Sequence, residues 1–109
     1  IKSIIHAHPP ALVSFSIVRQ IPNTNIISQA KHICGPIGYA KYRLPGSKDL
    51  GDVIAEEFKK GYKAIIMENH GTVLGGIDLT DAFERFEALE FCITSYRSFT
   101  RNGNYKLSF

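Results

Sequence analysis

Apolar positions in this chain of 109 residues switch between strand and helix spacing several times. Ile1-Lys2-Ser3-Ile4-Ile5 is β-branched and carries no turn signal, which predicts a strand running to about His8. Pro9-Pro10 removes two amide donors and ends the ladder. Pro10 also suits the first turn of a helix, and the body from Ala11 to Val18 fits a buried helix or a strand by pattern alone. Pro22-Asn23-Thr24-Asn25 predicts a turn. From Ile26 to Tyr42 the pattern predicts one or two short strands broken around Gly35-Pro36.

Ser47 is a natural N-cap for a helix whose apolar positions are Leu50, Ile54, Phe58 and Tyr62, with Gly61 suited to a left-handed end. Lys63 to Glu68 predicts a compact apolar strand, and Thr72-Val73-Leu74, bracketed by Gly71 and Gly75-Gly76, a second strand or hairpin arm. Thr80 is the expected cap of a long final helix with a seam through Ala82, Phe86, Leu89, Ile93 and Tyr96. Phe83, Phe86 and Phe91 on that helix read as core or subunit-contact residues. Arg101-Asn102-Gly103-Asn104 reads as a turn. The abrupt opening in a strand predicts a domain incomplete at its N-terminus, spanning residues 1–109.

The composition changes little: 44% hydrophobic residues suits one folded domain. The formal net charge is +3, and Lys59-Lys60 is the one adjacent basic pair. No clustered basic stripe marks a nucleic-acid binder. No apolar run approaches the roughly 18 residues of a membrane helix. Cys34 and Cys92 lack the short spacing of a zinc knuckle or redox pair, and read as reduced, buried thiols of a cytoplasmic protein.

The candidate chemistry lies in the histidines. His6 and His8 are two apart in a strand, so both imidazoles face one way, close enough to share a metal ion. His70 follows a second apolar strand and precedes Gly71, where the backbone can turn and present a ring. Three imidazoles with an open fourth position are the pattern of a catalytic zinc. Taken singly, a His-x-His strand also serves as two half-buried histidines with no ligand.

His6-Ala7-His8-Pro9-Pro10 and Glu68-Asn69-His70-Gly71 together resemble the class II aldolase and adducin family, which carries His-x-His-Pro-Pro and Asn-His-Gly. Ile21-Pro22, Leu44-Pro45-Gly46-Ser47 with Leu50, Gly75-Gly76, Ala82-Phe83 and Leu89-Glu90 follow in the family's order, so the resemblance covers nearly the whole chain. It implies a layered α/β fold, mostly an antiparallel sheet covered by helices. It also implies His6, His8 and His70 as ligands of zinc or another divalent metal. The metal acts as a Lewis acid in aldol cleavage of a ketose 1-phosphate to dihydroxyacetone phosphate and an aldehyde, stabilising an enediolate. The implied partners are a phosphorylated sugar and three further copies of the chain in a tetramer.

The family's phosphate-binding loops and acid/base glutamate lie upstream of His-x-His, outside this sequence. Glu68 is expected to be a partner of the ligands or a solvated carboxylate, not a substitute base. His32 is expected on a strand beside the site, in a packing or supporting role. Tyr105 is either a surface residue or, by resemblance, part of a tail that reaches a neighbouring subunit. Ile26 and Ile27 stand where fuculose-phosphate aldolases place a tyrosine, and Lys31 where a related epimerase has an aspartate, which argues against epimerisation. Two other expectations stay open: a lyase or dehydratase of the same fold, and a non-catalytic adducin-like scaffold.

Overall fold

The computed structural model describes the backbone of residues 1–101 and the side chains of 1–95 apart from Ile26. The seam position Tyr96, the turn residues 102–104 and Tyr105 lie outside the described side chains. The elements are β1 (Ser3–Ala7), α1 (Pro10–Val18), a 3-10 turn (Thr24–Ile26), α2 (Ser28–Cys34), β2 (Ile37–Ala40), α3 (Lys48–Lys59), β3 (Ala64–Met67), β4 (Gly71–Gly76) and α4 (Leu79–Arg101). The strands form one sheet in the order β1-β4-β3-β2. β1 with β4 and β4 with β3 run antiparallel, and β3 with β2 parallel, the last pair being joined through α3. The architecture is therefore the expected α/β one, with a mostly antiparallel sheet covered by helices.

β3 is buried along its whole length because both sheet faces are covered. Ala64 and Ile66 point to one side, where they pack with Ile37, Leu74, Leu12 of α1, Cys34 of α2, and Ala88, Leu89 and Ile93 of α4. Ile65 and Met67 point to the other, where Ala40 and Val73 meet Leu50, Val53, Ile54 and Phe58 of α3. One face thus carries three helices and the other carries one.

The helix ends follow from local chemistry. Pro10 opens α1, so the 11–18 segment is a helix, and Arg19 closes it in the left-handed region at φ 58°. The Ser47 side chain accepts from Leu50 N–H at 3.2 Å, as its sequence position suggests. Gly61, at φ 100°, takes the left-handed turn after α3. Asp78, not Thr80, caps α4: its Oδ1 accepts from Asp81 N–H at 2.7 Å, while Asp81 Oδ2 accepts from Ile77 N–H at 3.0 Å. An aspartate three positions later made Asp78 the better cap.

The larger correction concerns 28–34, where strand was expected and α2 forms instead. It has no side-chain cap, and its two buried residues, Ala30 and Cys34, sit four apart. Packing under α4 sets this segment's structure, overriding its β-branched flank. Arg85 of α4 fixes the joint, with Nε donating to Ile33 O at 2.9 Å, a further bond to Gly75 O, and the Asp81 carboxylate beside it. Phe86 packs on the core, whereas Phe83 and Phe91 are exposed.

Candidate metal centre

The antiparallel register sets His6 opposite Val73 and Ala7 opposite Thr72. His8 lies one residue beyond β1, alongside Gly71. Thr72 O lies 3.0 Å from His6 Nδ1. A carbonyl only accepts, so this bond needs the hydrogen on Nδ1, which leaves Nε2 of the neutral ring free to ligate. Thr72 is itself fully buried, with Oγ1 donating to Ile65 O at 2.9 Å, which makes that carbonyl a rigid mount.

His70 reaches the same place from the hairpin loop Glu68-Asn69-His70 between β3 and β4. Asn69 takes φ 56°, a conformation asparagine tolerates better than most residues, and His70 N–H closes on Met67 O at 3.1 Å. The sharp turn thus belongs to Asn69, while Gly71 has a different task. A Cβ there would stand 2.6 Å from Ala7 O and 2.7 Å from His8 Cδ2. Only glycine lets β1 and the His8 ring come this near to β4.

The three rings converge. Centroids lie 4.6 Å apart for His6 and His8, and 5.0 Å apart for His70 to each of them. One nitrogen from each lies within 4.8 Å of the others, the one such grouping of metal-binding side chains among the described residues. His6 and His8 are exposed and His70 half-buried. His70 Nδ1 itself is buried without a hydrogen-bond partner. Burial, then the neighbouring His6 and His8, holds His70 below the usual histidine pKa and keeps the imidazole neutral. Three imidazoles whose nitrogens converge, one of them on a half-buried and neutral ring, form the kind of donor set that zinc and similar divalent ions take.

Other candidates fall elsewhere. Glu68 turns away from the imidazoles: its Oε2 accepts from Tyr39 Oη at 2.7 Å, and Oε1 lies 3.6 Å from Arg19 Nε. Burial and this carboxylate push the Tyr39 phenol up to about 12. Neither Tyr39 nor Arg19 stood out in the sequence, since their pairing depends on the β2–β3 register and on the end of α1. His32 is exposed on α2 and is not brought to the site. Burial raises the Cys34 thiol to about 11 and also raises Cys92, so both are poor nucleophiles. A groove of about 520 Å³ between α2 and α4, floored by Ile33, Ala88 and Phe91, is separate from the imidazoles. No helix among the described residues is long and apolar enough to cross a membrane.

Residues 1–96 match the Class II Aldolase and Adducin N-terminal domain family. The chain belongs to this family. L-fuculose phosphate aldolase of Methanocaldococcus jannaschii is 34% identical over 91 residues, covering 83% of this chain and 48% of that protein. 3-oxo-tetronate 4-phosphate decarboxylase of Haemophilus influenzae is 30% identical over 93 residues, covering 82% of this chain and 44% of that one. Among solved structures, an L-fuculose 1-phosphate aldolase superposes with a TM-score of 0.78 at 25% identity, over 97% of this chain and 49% of the other. The chain thus spans about half the length of the curated relatives it matches, and the fold is a partial class II aldolase domain.

Proposed function

We propose that His6, His8 and His70 hold one divalent metal ion, zinc by preference, in an enzyme that cleaves a ketose 1-phosphate to dihydroxyacetone phosphate and an aldehyde. The convergence of three imidazole nitrogens within 4.8 Å carries this reading. When bound, the ion supplies a Lewis acid for the negative charge that develops on substrate oxygen as the carbon–carbon bond breaks. The chain's own residues do the preparatory work. Thr72 O fixes the His6 tautomer, burial keeps His70 neutral, and Gly71 admits His8 to the cluster. The phosphate-binding loops and the acid/base carboxylate belong to the part of the family's length that this chain does not span. A tetramer working in the cytoplasm completes the reading by analogy with the family.

The intact histidine triple favours an enzyme over a scaffold. A second reaction has support from the decarboxylase relative: loss of CO₂ from a 3-oxo sugar acid phosphate leaves the same kind of charge on oxygen. The first test is elemental mass spectrometry of the purified chain, with His70→Ala alongside. About one divalent ion per chain, lost in the variant, is the expected result. A metal-free chain that stays so after zinc is added would count against the site. Release of dihydroxyacetone phosphate from a panel of ketose 1-phosphates, against release of CO₂ from oxo acid phosphates, then separates the two reactions.

A further inference from the structure

The loop that presents His70 is only three residues long, and one of them, Asn69, sits in the left-handed region. Its backbone is tied to three elements. Glu68 N–H donates to Ala40 O at 2.9 Å, Asn69 N–H to Ser16 O at 3.2 Å and His70 N–H to Met67 O at 3.1 Å. Those bonds fix the path of the backbone, and the loop's side chains decide how firmly it is held between them. Among the described residues, Glu68, 16% exposed, makes that side-chain tie: its carboxylate takes the 2.7 Å hydrogen bond from Tyr39 Oη.

Tyr39 is a firm anchor. Its ring packs against the three-helix side of the core, and its own N–H donates to Glu57 Oε1 of α3 at 3.1 Å. Arg19 contributes less, being 68% exposed and 3.6 Å from the carboxylate. A hydroxyl donating to a carboxylate is among the stronger hydrogen bonds available to a side chain. We propose that Tyr39, acting through Glu68, is a positioning residue for His70: the hydrogen bond clamps the 68–70 loop from behind and sets where the imidazole points. This rests on the reading of His70 as a metal ligand.

Supporting groups of this kind typically alter metal affinity by about 10–100-fold. The test uses Tyr39→Phe, which deletes a single oxygen, and Glu68→Gln, which keeps an acceptor for the phenol. Two readouts are taken: amide hydrogen exchange in the metal-free chain, and cobalt(II) affinity from its visible absorption spectrum. Tyr39→Phe is expected to speed exchange at Asn69 and His70, leave β3 unchanged, and weaken cobalt binding about tenfold. Glu68→Gln is expected to restore most of that affinity relative to Glu68→Ala. Unchanged exchange at 69–70 in Tyr39→Phe overturns the clamp, as does faster exchange with wild-type cobalt affinity. If exchange responds but the wild-type chain takes up no cobalt, the clamp on the loop stands and the ligand reading of His70 falls.

Discussion

The two faces of the sheet are built to different standards of closure. On the three-helix face, Leu12, Ala64, Ile66, Leu74, Leu89 and Ile93 are all at most 1% exposed. On the other face α3 covers β2 and β3, but at β1 the same side of the sheet opens: Ile4 is 55% exposed and His6 and His8 stand in solvent. Stability is concentrated where packing is complete, and polar chemistry sits where packing stops. The same strands serve both, because neighbouring residues point to opposite faces.

The contrast is broken most severely by cutting into the closed face. Leu74→Ala should cost about 2–5 kcal/mol in urea unfolding, whereas Ile4→Ala on the open side should stay within about 0.5 kcal/mol. Equal costs would show that Ile4 is covered in solution. Next in size is Gly71→Ala, whose new methyl group meets the Ala7 carbonyl and the His8 ring. Forcing β1 away should cost about 1–3 kcal/mol and weaken cobalt(II) binding more than it destabilises the fold. Retained affinity would mean the rings do not need this approach.

The smallest effect concerns protons. His70 is held below its usual pKa of 6.5 in the folded state, so the unfolded chain binds the proton more readily. The stability this contributes is present above that value and is lost as pH falls below it, through the lower folded-state value. Denaturant midpoints should therefore decline as pH falls below about 6.5, and His70→Gln should flatten that part of the slope. An unchanged slope would assign the proton uptake to other groups.

Much of this was legible in the sequence, for reasons that particular residues make plain. β1, α3, the β3–β4 pair and α4 each carry a long or sharply bounded pattern, and the spacing of His6 and His8 fixes their common side. The segment 28–34 was not legible: Ser28-Gln29-Ala30-Lys31-His32 lacks a cap and a clear period, and its helix depends on Arg85, more than fifty positions away. Strand alternation would set Glu68 on the same face as His70, but β3 ends at Met67, Asn69 takes a left-handed step, and the carboxylate goes to Tyr39. Local spacing says which residues share a strand face. It does not say where a tight turn resets that count.

One contact has a bearing on how the molecule meets its own copies. β2 is an outer strand of the sheet, and such strands offer loose amides to any extended chain that drifts past. At Tyr39 that invitation is withdrawn: Glu57, only 8% exposed and steadied by Lys60 Nζ at 2.7 Å, already occupies the N–H. A carboxylate lodged there also brings a buried negative charge that an incoming strand would have to displace. The plug makes the Tyr39 stretch of β2 a poor template for strand addition.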